Sequence, residues 1–67
     1  MKTLFYIKDI RENTFYWSYR LEEGFTKEIR EANSFESEEA AIEELGLGYL
    51  RVSNRFYEIV KVLRFNE

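Results

Sequence analysis

The sequence contains no cysteine, no histidine and no proline, and it has only three glycines and one methionine among 67 residues. Without cysteine there are no disulfides, and without cysteine and histidine a structural zinc site is excluded. A chain of this length is one domain, residues 1–67, and it buries only ~60% of its unfolded surface. Its stability must therefore come from packing or from a partner.

Aromatic residues are abundant, with six Phe, five Tyr and one Trp making up 18% of the chain. Large aromatic side chains supply much of the apolar area in cores and in subunit interfaces. One short helix cannot cover so many of them on a small sheet. The composition therefore favours self-association.

Four segments carry the alternation or the β-branched and aromatic content of strands, namely residues 4–10, 14–21, 25–30 and 56–65. The second has the clearest period of two, which predicts that Phe15, Trp17, Tyr19 and Leu21 face the core. A left-handed residue is expected in each of the first two turns, at Asn13 and Gly24.

A short helix is predicted over residues 38–46, with Ser37 as N-cap. Its narrow apolar stripe, which should face the sheet, consists of Ala41, Ile42 and Leu45. Gly46 or Gly48 can end the helix in a left-handed cap. Two segments stay open: residues 25–32 fit a strand or a helix, and residues 49–53 fit a loop or a short strand.

The resulting order is β-β-β-α-β, an α+β fold with an antiparallel meander, one helix on one face and a C-terminal strand. That last strand is apolar on both faces, and such strands are normally covered on both sides. One helix covers one side only. We therefore predict a homodimer whose interface includes Phe56, Val60 and Val62.

The net charge of −3 is unevenly distributed. Residues 22–44 carry nine acidic residues against Lys27 and Arg30, whereas the remainder has eight basic and four acidic residues. Glu36, Glu39 and Glu43 follow helical spacing and are predicted to form one exposed ridge. This ridge is either a solvated face or a docking face for a basic protein.

Direct nucleic-acid binding is disfavoured because phosphate contacts need clustered Lys and Arg. An aromatic and basic sheet face for single strands is the competing interpretation, and its members are Tyr6, Lys8, Tyr16, Trp17 and Arg20. These aromatic residues serve equally well in a core or a subunit interface.

No residue pattern indicates catalysis, a cofactor or a metal. Ser37 reads as a cap, and the adjacent carboxylates of the helix point about 100° apart into solvent. A calcium loop needs alternating Asp and Asn around a Gly, which no segment offers. The chain is therefore predicted not to be an enzyme and to need no cofactor.

The segments FYIKDIRENT, FYWSYRLEEG and SFESEEAAIEEL together resemble the YegP-like small domains, a family of unknown function. The matching positions are Trp17, Arg20, Leu21, Gly24, Phe35, Ser37, Ala41 and Ile42. Two features depart from the family: Glu-Gly replaces its usual Asn-Gly at the second turn, and the tail FYEIVKVLRF is more similar to small phage-encoded proteins. The resemblance implies a β-β-β-α-β unit that pairs with a second unit and exchanges C-terminal strands within a continuous sheet. It implies no catalytic residues.

Together these features predict a small, non-enzymatic protein–protein interaction or regulatory protein, bacterial or phage-encoded, that acts as a homodimer. The alternative is an acidic inhibitor that blocks a nucleic-acid-binding enzyme through its Glu-rich helix face. The N-terminal residues resemble neither a signal peptide nor a membrane span, so a cytoplasmic location without membrane contact is expected.

Overall fold

The computed structural model of this chain describes residues 2–52 and 55–64. It contains four strands, which are β1 (Lys2–Asp9), β2 (Thr14–Tyr19), β3 (Glu22–Thr26) and β4 (Tyr57–Arg64). A 3-10 helix at Ile29–Glu31, α1 (Glu38–Leu45) and the short α2 (Gly48–Val52) lie between β3 and β4. The predicted strand end at Phe65 and the predicted loop residue Ser53 lie outside the described residues.

The strands form one antiparallel sheet in the order β3-β2-β1-β4, which confirms the α+β meander. β4 pairs with β1 of its own chain along its whole length, from Arg64 opposite Lys2 to Tyr57 opposite Asp9. The exchange of this strand with a second subunit stays a prediction.

The first turn forms as predicted, because Asn13 has a φ of 60°. The second turn differs: the left-handed residue is Arg20, with a φ of 57°, and β3 begins already at Glu22. Gly24 instead lies within β3 opposite Trp17. A Cβ at Gly24 would lie 3.2 Å from the Trp17 Nε1 atom, so the glycine makes room for the indole.

Helix α1 begins where the sequence predicts, because the Ser37 Oγ atom accepts a hydrogen bond from the Ala40 backbone N–H at 3.1 Å. Of the two glycines expected to end α1, Gly46 has a φ of −85° and is not left-handed, whereas Gly48 has a positive φ of 33° and begins α2. Residues 48–52 form a helix, so neither the loop nor the strand expected for that segment is correct.

A gap in the sheet is filled by the segment that enters α1. β1 and β2 pair only at Lys8 with Phe15 and at Asp9 with Thr14. Beyond these pairs, Phe35 exchanges two backbone hydrogen bonds of 2.8 Å with Phe5, and the Asn33 N–H donates to a β2 carbonyl. Residues 33–35 therefore tie β1 to β2 where the two strands diverge.

The helices cover one face of the sheet. The buried core there consists of Ile7, Tyr16, Ala41 and Leu50, with partly buried apolar residues around it. Tyr16, and not Trp17, faces this core, so the predicted orientation of β2 is wrong. Tyr19 and Leu21, expected in the core, are exposed at the β2–β3 turn.

Candidate functional site: the last strand and the open sheet face

The pairing of β4 with β1 shows which residues of β4 direct their backbone groups towards the outer edge of the sheet. In an antiparallel pair, alternate residues direct their N–H and C=O groups to the same neighbour. The Ile10 N–H donates to the Phe56 carbonyl at 2.9 Å, and Phe5 directs both backbone groups away from β4, towards Phe35. Even-numbered residues of both strands therefore bond to each other. Ile59, Lys61 and Leu63 direct their N–H and C=O groups outward.

Within the described ranges, β4 has a neighbouring strand on one side only. An edge strand of this length, without a bulge or a proline, is a template for pairing with another chain. The opposite edge differs, because β3 has five residues and begins with Glu22 and Glu23. Short strands and charged residues are features that block edge pairing.

The face of β1 and β4 opposite to α1 is apolar at its centre, and we call it the open face. It is formed by Lys2, Leu4, Tyr6, Lys8, Glu58, Val60, Val62 and Arg64. The described helix that contacts β1 and β4 lies on the other side of the sheet. An apolar patch with a charged rim is typical of a protein-binding surface.

The charged rim is held in place by contacts at both ends of the open face. Arg64 donates a hydrogen bond from Nη2 to the Tyr6 hydroxyl at 3.0 Å. Lys8 and Glu58 form an ion pair at 4.0 Å. Tyr6 also contacts the ring of Phe15 edge-on, with the ring centroids 6.4 Å apart. These contacts bury Tyr6, so it cannot serve as a stacking platform for a base.

The structure brings two of the three predicted interface residues together. Val60 and Val62 are half-buried on the open face, opposite Tyr6 and Leu4 respectively. Phe56 precedes β4 and is exposed, and the Arg11 guanidinium lies 4.1 Å above the centre of its ring. Val60 and Val62 thus lie next to each other on one surface, and Phe56 lies at the end of that surface.

The predicted acidic ridge is exposed at all three positions, Glu36, Glu39 and Glu43. Glu36 lies 3.9 Å from Lys2, a surface ion pair of small energetic value. Ile42 is 53% exposed and lies on this outer side, so its predicted contact with the sheet is wrong. Ala41 is buried and Leu45 is partly buried, which confirms the rest of the stripe.

A buried carboxylate that the sequence reasoning missed lies at the end of β1. Asp9 accepts hydrogen bonds from the backbone N–H groups of Arg11 at 2.9 Å and Glu12 at 3.2 Å, and from the Arg55 guanidinium. Burial alone raises the pKa of Asp9, but the bonds from Arg55 and the two N–H groups outweigh it and lower the pKa. Its position just before a predicted turn was the available signal.

Asp9 and Arg55 connect the first turn to the start of β4. The Arg55 guanidinium also lies 4.4 Å from the ring centre of Phe25, and that ring stacks on Tyr57 at a centroid distance of 5.8 Å. The cluster thus contacts β1, β3 and β4. It joins the end of β1 to the residue two positions before β4.

The Tyr16 hydroxyl joins the sheet to α1. Its single hydrogen is shared between the carboxylates of Glu23 at 3.0 Å and Glu44 at 3.3 Å, which both accept from it. Burial and the nearby carboxylates raise the pKa of Tyr16 to about 12, although a hydrogen bond with Ser18 opposes the change. Tyr16 therefore lies on the opposite face from Tyr6 and Trp17. The residues of the competing interpretation, an aromatic and basic face for single-stranded nucleic acid, therefore do not form one surface.

Within residues 2–52 and 55–64, no group of three acidic side chains is arranged to hold a metal ion. The same part of the chain has no helix long and apolar enough to cross a membrane. Comparison with protein-family models, curated proteins and solved structures finds no significant match to this chain.

Proposed function

We propose that this protein is a small, non-enzymatic protein–protein interaction protein that acts as a homodimer, with β4 as the element of contact. The observation that carries the proposal is the position of Val60 and Val62. They form the apolar centre of the open face on a strand that is also the unblocked edge of the sheet. Apolar edge strands of this kind are sites of association.

A second copy of the chain fits this surface. A two-fold dimer uses the same patch on both subunits, and an antiparallel pair of identical strands satisfies this symmetry. A domain of 67 residues is also marginally stable, so the backbone hydrogen bonds and cross-strand contacts of a paired β4 add stability that the isolated chain lacks. A regulatory or accessory role is consistent with a surface of this kind.

Analytical ultracentrifugation at micromolar concentration tests the dimer. We expect a species of twice 8.2 kDa for the native protein. Val60→Lys should dissociate it, because it brings a lysine from each subunit into the contact, where like charges repel. Leu47→Lys is the matched control, since Leu47 is exposed and lies between α1 and α2, outside the sheet. A folded native protein that sediments as a monomer over the whole range would contradict the proposal.

A second candidate function is an acidic inhibitor that binds a basic protein through α1. The observation that favours it is the exposed Ile42 beside Glu39 and Glu43. An apolar side chain bordered by charge supplies contact area as well as electrostatic attraction. This function and the homodimer use different surfaces, so variants can separate them.

A further inference from the structure

We infer that two copies of this chain pair their β4 strands edge to edge, antiparallel, with Val60 on the two-fold axis. Each β4 keeps its pairing with its own β1, and the two sheets become one sheet of eight strands. This inference rests on the proposed homodimer and specifies its geometry. It differs from a strand exchange, because β4 is already paired within its own chain.

The outward backbone groups of β4 restrict the pairing to a few registers. Ile59, Lys61 and Leu63 direct their N–H and C=O groups away from β1, as shown above. In an antiparallel pair, residues that direct these groups outward must lie opposite one another. The two-fold axis therefore passes through a single residue, and the registers centred on Val60 and on Lys61 overlap most within Tyr57–Arg64.

Charge decides between these two registers. Centring on Lys61 places two ammonium groups directly opposite each other, which is destabilising. Centring on Val60 places two valines opposite each other and pairs Lys61 with the partner's Ile59. It also places Glu58 diagonal to the partner's Arg64, within reach of long side chains of opposite charge.

The Val60 register also accounts for an exposed apolar residue on the other face. Leu63 is 52% exposed on the helix side of the sheet in the single chain. In this register it lies opposite the partner's Tyr57, which covers it. On the open face, the two Val60 side chains lie side by side and connect the half-buried Leu4 and Val62 side chains of both subunits into one apolar surface.

Cysteine cross-linking tests the register, because the native chain has no cysteine. Val60 lies in a non-hydrogen-bonded pair, whose Cα atoms are ~4.5 Å apart, within the range that a disulfide spans. With oxidised glutathione as the oxidant, Val60→Cys should form a covalent dimer at least about tenfold faster than Leu47→Cys, which meets its copy only by collision. Lys61→Cys reports the competing register and should also be slow.

Two outcomes would overturn the inference: Val60→Cys reacting no faster than Leu47→Cys, or Lys61→Cys reacting faster than Val60→Cys. If the native protein sediments as a dimer and Val60→Cys still fails to cross-link, only the pairing is refuted. If the native protein sediments as a monomer, the proposed function fails as well.

A proline substitution provides a second measurement that does not depend on oxidation. The Lys61 N–H points outward, so Lys61→Pro removes a bond to the partner and none to β1. We expect a folded monomer by circular dichroism and sedimentation, with dimer affinity reduced at least about tenfold. A folded Lys61→Pro protein with native dimer affinity would overturn the inference.

Discussion

Replacement of Asp9 by asparagine tests the buried carboxylate at the start of the first turn. The side chain of Asp9 is 1% exposed, and its carboxylate accepts three hydrogen bonds. Asparagine keeps the shape and one acceptor oxygen for the backbone of Arg11 and Glu12. Its NH₂ group, however, faces the Arg55 guanidinium, and two donors cannot bond to each other.

The magnitude follows from these contacts. A hydrogen bond to a charged group contributes ~1.5–3 kcal/mol. The Arg55 side chain is 36% exposed, so solvent screening places its contribution at the lower end. We therefore expect Asp9→Asn to lower the free energy of unfolding by about 2 kcal/mol. A domain of this size has a total stability of about 3–10 kcal/mol.

Urea unfolding at fixed protein concentration, followed by Trp17 fluorescence, measures this loss. Glu36→Gln is the matched control, because that exposed carboxylate pairs with Lys2 at the surface and should change stability by less than ~0.5 kcal/mol. A loss for Asp9→Asn as small as that of the control would refute the reasoning.

The pH dependence provides a second check. The pKa of Asp9 is lowered in the folded state, so its stabilisation is complete above its unfolded pKa of ~3.9. It is lost as the pH falls through the lower folded value. The difference between native protein and Asp9→Asn should therefore be constant near neutral pH and shrink below about pH 4. A difference that does not change with pH would show that the pKa of Asp9 is the same in the folded and unfolded states, so that the fold does not lower it.

Three further predictions concern other parts of the molecule. Gly24→Ala should shift the Trp17 indole and change its emission, with a stability change within about 1 kcal/mol, because the half-buried ring can move; unchanged emission would contradict the close approach. Tyr16→Phe should lower the free energy of unfolding by about 1 kcal/mol, measured by thermal unfolding. In the native protein, absorbance at 295 nm should show the Tyr16 phenol titrating near pH 12. The stabilisation by the Tyr16 hydroxyl is complete below the unfolded pKa of ~10 and is lost as the pH rises through about 12. Changing Glu39 and Glu43 to Gln should leave the fold and the dimer intact. If α1 binds a basic protein, the double substitution should slow the association of the two proteins at low salt. Unchanged binding of an identified partner by the folded variant would eliminate the docking role.

Several elements of the fold were predictable because their determinants are local. Ser37 followed by acidic residues indicates a helix start in any context, and the cap forms as expected. Asn13 tolerates a positive φ, and the first turn uses it. The aromatic and β-branched residues of the first and last segments predict strands there, and both segments form strands.

Other assignments failed where a competing tertiary contact decided. The alternation along β2 is equally regular on both faces, so it cannot show which face the helix covers. Tyr16 faces the core because its hydroxyl reaches Glu23 on β3 and Glu44 on α1. Gly24 pairs with Trp17 within β3, and the indole leaves little room for a Cβ there, so the glycine serves this contact and not a turn.

The sequence by itself determined the α+β class, the start of the helix and the apolar character of the last strand. Each of these depends on composition or on contacts between near neighbours in the chain. Only the tertiary structure decided that Phe35 fills the gap between β1 and β2, that Arg55 reaches Asp9, and that β4 is an edge with Ile59, Lys61 and Leu63 directed outward. These features join residues far apart in sequence, and their backbone directions depend on which strands become neighbours, which no local pattern specifies.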